Sequence, residues 1–350
     1  MQSLVGTPLD VLEKELISLG EKPFHARQIF NWVYQKQALS FDQMTNLSKP
    51  LRLLLASRFS FPSLKPIRSV VSEDGQTIKF LFELSDGALV EAVLIFAPNR
   101  RTVCVSCQVG CPARCAFCAS GKQGLIRNLS VGEIVEQVLH INAFLAPRGE
   151  RVCHIVFMGM GEPLENYDPV LSAVRLFNSP DALNISQRRI TLSTVGVVEG
   201  IDRLAREEVR INLVLSLHAP NQQIRKKIIP YARKYHIGEV IAAMDRYAAA
   251  TKRDITYEYT LLEGINDQPE HADELAQLLA GKQCTVNLIP YNPVEGLRLN
   301  RPSREAVDYF RYRLERAGLH ATQRYTKGKD IAAACGQLAL QTKNSLAILA

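Results

Sequence analysis

No stretch of this 350-residue chain approaches the ~20 consecutive apolar residues that a membrane-spanning helix needs. Its first residues, MQSLVGTPLDVLEKELISLG, lack a basic leader region and carry Asp10, Glu13 and Glu15 early, which excludes a secretory signal and leads us to expect a cytoplasmic protein. Gly and Pro are too few, and hydrophobic residues at 47% too many, for a collagenous or broadly disordered chain. No internal repeat or low-complexity segment is present, so a solenoid or array is excluded. Eight cysteines in this length are too few for a disulfide scaffold, yet five of them fall between Cys104 and Cys118. In a reducing compartment such clustering points to metal or redox chemistry.

The net charge is +7, from 42 Lys+Arg against 35 Asp+Glu. Two runs concentrate it. Arg225, Lys226, Lys227, Arg233 and Lys234 lie between Gln222 and His236 with no acid among them, and nine basic residues face four acids between Arg298 and Asp330. Each run can be a basic surface for nucleic acid or a solvated helix face.

Residues 1–60 read as a small helical domain, with apolar spacing at Leu9, Leu12 and Leu16, again over roughly 25–37, and again near 50–59. Residues 61–96 shift to short alternating runs, IRSVV, TIKFLFEL and ALVEAVLIF, separated by EDG and SDG, and predict a short antiparallel linker sheet. From about 97 to 330, strand-like segments (RTVCVSC, VCHIVFMG, RITLSTVG, RINLVLSLH, DITYEYTLL, TVNLIPYN) alternate with helix-like ones at 131–146, 168–178, 197–207, 238–251 and 269–280. A last helix at 303–317 leads to the short strand HATQRY. This alternation predicts an α/β fold built on a partial, six-stranded parallel barrel. Residues 331–350 form a C-terminal segment. The polar clusters follow the strands, where α/β barrels place their active sites.

Cys111-Pro-Ala-Arg-Cys115-Ala-Phe-Cys118 is a C-x₃-C-x₂-C run, able to curl three thiolates round one centre. A structural zinc site closed by Cys107 or Cys104 is one reading. An iron–sulfur cluster with three protein thiolates, and one iron left open for a small molecule, is the other. Glu91, inside ALVEAVLIF, has the pattern of the solvent face of a strand. Cys335 taken alone reads as a buried thiol, His218 as a core histidine, and Ser193 and Ser216 as strand-end caps.

C-x₃-C-x₂-C with Phe117 before the last cysteine resembles the radical S-adenosylmethionine (SAM) superfamily. The segments CVSCQVGC, FCASGKQGLIRNL, FMGMGEPL, ITLSTVG, LSLHAP, LLEGINDQPEHA, NLIPYNP and DIAAACGQL together resemble the RlmN/Cfr family of RNA adenine methyltransferases, from about Phe24 to Leu338. FMGMGEPL and Lys122-Gln123-Gly124 look more like the RlmN branch. The resemblance implies a 4Fe–4S cluster on Cys111, Cys115 and Cys118, and two SAM per turnover. It implies SAM contacts from Gly161, Glu162, Ser193, Ser216, Leu217, His218 and Asn292. The implied substrates are 23S ribosomal RNA near the peptidyl transferase centre and certain transfer RNAs, with an electron donor such as flavodoxin or ferredoxin. The implied reaction is methylation of adenosine C2, an electron-poor carbon that cannot attack the methyl group of SAM directly. Cys335 would be methylated, lose a hydrogen to a 5′-deoxyadenosyl radical and add to C2. Cys104 would then resolve the adduct through a transient disulfide, and Glu91, thirteen residues before Cys104, would accept the proton. A Cfr-like C8 enzyme and a non-catalytic zinc RNA-binding protein are the competing expectations. Position 107 departs from the family, which commonly has serine where this chain has Cys107.

Overall fold

The structure is a computed structural model that describes residues 2–324 and 327–338. The end of the C-terminal segment, 339–350, lies outside the described residues. Near the N-terminus a two-residue strand β1 (Gln2–Ser3) pairs in parallel with β2 (Phe59–Ser60), closing round helices α1 (Leu9–Ser18), α2 (Phe24–Phe30) and α3 (Lys49–Arg58). The apolar spacing seen in the sequence buries Leu12 and Leu16 of α1, Ile29 of α2, and Leu51 and Leu55 of α3 against one another. Ser48 caps α3 by accepting from the Leu51 N–H at 3.3 Å.

Three antiparallel strands follow: β3 (Lys65–Val71), β4 (Thr77–Glu83) and β5 (Leu89–Ala97). They do not stand apart as a separate linker sheet. β5 pairs antiparallel with β6 (Arg100–Cys104), and β6 opens the parallel part of one ten-stranded sheet. A short ribbon comes next, β7 (Gln108–Gly110) against β8 (Leu125–Asn128), then α4 (Val131–Leu145). α4 begins with a capping box in which Ser130 accepts from the Glu133 N–H and the Glu133 carboxylate accepts from the Ser130 N–H.

The remaining chain repeats strand and helix: β9 (His154–Phe157), α5 (Tyr167–Asn178), β10 (Ile190–Thr194), α6 (Val198–Leu204), β11 (Asn212–Ser216), α7 (Gln222–Ile228), α8 (Ile237–Thr251), β12 (Ile255–Leu261), α9 (Pro269–Leu278), β13 (Cys284–Pro290), α10 (Arg304–Arg316) and β14 (His320–Gln323). Strands β6 and β9 to β14 are all parallel, so the six expected parallel strands are joined by a seventh, β14. Helical crossovers between adjacent parallel strands bring every carboxyl end to one side of the sheet. There Met158, Thr194, Ser216, Glu258 and Ile289, from β9 to β13 and their exits, line a single cleft.

Candidate active site

The cleft encloses about 820 Å³, its open mouth included. Cys111, Cys115 and Cys118 line one wall. The ribbon β7–β8 pins both ends of the loop that carries them. The Cys111 N–H donates to the Gly124 carbonyl at 3.0 Å. A side chain at Gly110, whose φ is +77°, would put Cβ 1.9 Å from that same oxygen, so only glycine fits. Ala116 N–H donates to the Ile228 carbonyl at 2.8 Å, tying the loop to α7. Burial pushes all three thiols above their ordinary pKa, Cys111 to about 12. Among the described residues no three His, Cys, Asp or Glu side chains gather closely enough to share one ion. The three thiols face a common space instead.

Cys107 does not line the cleft. It is 2% exposed, packs in the core, and its carbonyl accepts from Leu129 N–H and from Asn166 Nδ2 at 2.8 Å. Gly161, with φ +112°, lies against it: a Cβ there would stand 2.9 Å from Cys107 Sγ. Gly159 is equally confined, by the Val105 carbonyl at 2.6 Å. These glycines let the β9 exit lie flat on the segment around β7.

Glu162 is buried, with both oxygens committed, accepting from Leu164 N–H at 3.0 Å and Val195 N–H at 2.7 Å. Burial raises its pKa to about 7 against those donors. Ser193 and Ser216 hydroxyls share a hydrogen bond of 3.0 Å across adjacent strands. His218, with φ +54°, accepts the Thr260 N–H at Nδ1, which leaves the proton on Nε2. Burial lowers its pKa to about 3, so the ring is neutral. Asn292 donates to the Cys335 carbonyl at 3.3 Å. Leu217 is fully buried and does not line the cleft, although its neighbours Ser216 and His218 do.

Cys335 lines the same cleft as the three loop cysteines. Its segment is stitched to their loop: Ala119 N–H donates to the Gly336 carbonyl at 2.8 Å and the Ser120 hydroxyl to the Leu338 carbonyl at 2.6 Å. Gly336 takes the left-handed φ of +81° that this approach requires. Cys104, at the end of β6, is a free thiol that feels the charge of Cys335, and burial pushes its pKa up to about 12. Glu91 lies elsewhere. It is 3% exposed rather than on a solvent face, and it borders a second, adjoining cleft.

Sequence reasoning missed three residues. Arg324, just beyond β14, points its Nη1 at Cys335 Sγ (3.9 Å), at Met158 Sδ (3.7 Å) and at the carboxylate of Glu258 (3.2 Å). Glu258 is 4% exposed in β12, and an acid between two tyrosines of an apolar strand was the available signal. Arg225, read as part of a basic surface, is 1% exposed instead. It bonds the carbonyls of Leu217 and Val195 and is close enough to Cys115 to feel its charge.

Two family models match the chain: the ribosomal RNA large subunit methyltransferase N-terminal domain over residues 2–60 and the radical SAM superfamily over 105–277. A probable dual-specificity RNA methyltransferase, RlmN 2, of Protochlamydia amoebophila is 63% identical over 93% of this chain and 90% of its own length. The chain belongs to the RlmN family of radical SAM enzymes. The Thermotoga neapolitana RlmN, also described as a probable dual-specificity RNA methyltransferase, is 45% identical and covers 99% of each chain. The crystal structure of a radical SAM methyltransferase from Sphaerobacter thermophilus superposes with a TM-score of 0.95 at 47% identity, covering 97% of this chain and 99% of that one.

Radical SAM enzymes carry a 4Fe–4S cluster and SAM. The donor set of this RlmN-family chain fits them, since three soft thiols border one cleft together with Glu162, Ser193, Ser216 and Asn292. Among the described residues no helix is long and apolar enough to cross a membrane.

Proposed function

We propose that this enzyme methylates C2 of an adenosine in 23S ribosomal RNA, and of the adenosine 3′ of the anticodon in some transfer RNAs, with Cys335 as methyl carrier. The observation that carries the reading is the seat of Cys335, in one cleft with Cys111, Cys115 and Cys118. The cluster would be held by those three thiolates and SAM by the neighbouring Gly161, Glu162, Ser193, Ser216, His218 and Asn292. When bound, cluster and SAM supply the methyl group and the hydrogen-abstracting radical.

The chain's own residues do the rest. A thiolate, not a thiol, accepts a methyl group, and the Arg324 guanidinium favours the Cys335 thiolate against the cost of its burial. Glu258 fixes that guanidinium. Neutral His218 and the paired serines offer hydroxyl and N–H groups without adding charge. Once the carrier radical has added to C2, the adduct holds one unpaired electron: that electron would pass to the cluster as one-electron acceptor, one proton must leave C2, and the bond between the carrier carbon and sulfur must break. Glu91 would take the proton, and the Cys104 thiolate, beside Cys335, would bond to its sulfur as the carbon leaves and takes a proton from solvent. Its proposed location is the cytoplasm, where such RNA substrates are, and its proposed reductant an electron donor such as flavodoxin or ferredoxin.

The test separates the two cysteines. Cys104→Ala enzyme turning over RNA should trap protein covalently on RNA, visible on denaturing gels. Cys335→Ala should show no adduct at all. Adduct in the Cys335 variant would sink the carrier reading, and none in the Cys104 variant would sink Cys104 as the resolving thiol.

A further inference from the structure

Lys79 has no role in the reading above, yet it is buried in β4 against the residue that reading makes the proton acceptor. Its ammonium stands 3.1 Å from a carboxylate oxygen of Glu91, with the two side chains 9% and 4% exposed. It also donates to the Ala332 carbonyl at 3.2 Å, three residues before Cys335. The register explains the meeting. Lys79 lies opposite Val93 and Glu91 opposite Leu81, so the charged pair is diagonal on one face of β4 and β5. The other face carries Ile78, Phe80 and Phe82 and belongs to the core.

Stability does not account for this placement. The attraction between two desolvated charges barely offsets the cost of burying them, and an apolar pair of similar volume commonly serves as well. The face they share is the floor of the second cleft. Ala332 and Gln337 wall that cleft on one side while Cys335 and Gly336 wall the first, so the carrier segment is the partition between them. One ammonium therefore touches both the strand that bears Glu91 and the partition that bears Cys335.

We propose that Lys79 is a positioning residue that holds Glu91 ionised and in register with the Cys335 segment, so that the adduct can lose its C2 proton to Glu91. The inference rests on the carrier and acceptor roles proposed above. An opposite charge at this distance favours the carboxylate, the only form able to accept a proton. Lys79 acts through Glu91 and touches no substrate atom.

The test uses full-length, anaerobically reconstituted enzyme and an RNA fragment containing the target adenosine. Lys79→Gln keeps a donor for Ala332 and removes the charge, whereas Lys79→Arg keeps the charge. Intact mass should show Cys335 methylated in every variant, which also establishes that each is folded. A positioned base contributes about 10²–10⁴-fold, so Lys79→Gln should lose roughly tenfold or more of turnover while covalent adduct accumulates. Lys79→Arg should recover most of that loss. Lys79→Gln/Glu91→Gln should match Glu91→Gln alone. Wild-type turnover of Lys79→Gln, loss without adduct, no rescue by Arg, or a further loss in the double variant each overturns the proposal. If Glu91→Gln traps adduct and Lys79→Gln does not, only the role of Lys79 falls. If Glu91→Gln turns over normally, the acceptor reading falls and takes Lys79 with it.

Discussion

Among the cysteines, burial and loop tethering do more to separate roles than sequence spacing does. Cys107 is three residues from Cys104 and four from Cys111, so spacing alone leaves it able to ligate or to pair. The fold turns it into the core and leaves Cys111, Cys115 and Cys118 facing the cleft. We predict that alanine at any of those three abolishes iron incorporation after anaerobic reconstitution, while Cys107→Ala retains it. Equal iron loss in all four would contradict the assignment. The site was legible where residues come in a local run, as in the cysteine loop and the Gly161-Glu162 exit. Arg324 and Lys79 were not legible, because the contacts that place them reach Glu258, 66 residues from Arg324, and Ala332, 253 residues from Lys79. Arg225 was misread for a related reason: its neighbours Lys226 and Lys227 are exposed, and nothing in a charge run marks the one position per turn that faces inward.

The helices and strands themselves follow local pattern closely. The expected helix 131–146 appears as Val131–Leu145 and 303–317 as Arg304–Arg316, because their apolar period and serine caps agree. The β7–β8 ribbon was missed, since each strand is only three or four residues long and its register depends on a glycine approach that no periodicity records. One element carries a pH-sensitive tether. Glu136 of α4 accepts from the Ser63 and Leu64 N–H groups, both at 2.7 Å, and binds the barrel to the start of β3. Burial raises its pKa to about 7. In the unfolded chain it titrates near ~4.3, so the folded state holds the proton more tightly between the two values. That contribution is fully present below about pH 4 and is lost as pH rises through about 7. Glu136→Gln keeps an oxygen acceptor and removes the titration. Its melting temperature should therefore gain on wild type between about pH 5 and pH 8, and parallel curves would contradict the account.

Across the whole molecule, one sheet does two jobs. Its parallel half gathers strand ends into the cysteine-lined cleft, and its antiparallel half supplies the floor of the second cleft. Local pattern places a hairpin sheet at 61–96 but holds no sign that β5 would continue it into the barrel, since the pairing of β5 with β6 is a long-range choice of edges. Exposed charge is distributed unevenly as well. Much of α10 neutralises itself, with Arg304 and Arg311 reaching Asp308 and Arg311 also reaching Glu315. Lys226, Lys227 and Arg233 are exposed. Replacing those three by alanine should weaken RNA binding and shallow the log K versus log salt slope by roughly 0.7–0.9 for each phosphate that is no longer neutralised. SAM cleavage without RNA should be unchanged. An unaltered slope would leave the run a solvated face.

The central claim is that the methyl group reaches RNA through the sulfur of Cys335 and arrives at C2. Trideuteromethyl SAM tests it directly. A methyl group carried on sulfur must give up one of its hydrogens before its carbon joins the ring, and it takes one from solvent on release. Mass spectrometry of the nucleosides should therefore find 2-methyladenosine bearing two deuterium atoms and one protium in its new methyl group. A methyl group that keeps all three deuterium atoms, or one that appears at C8, would contradict the account.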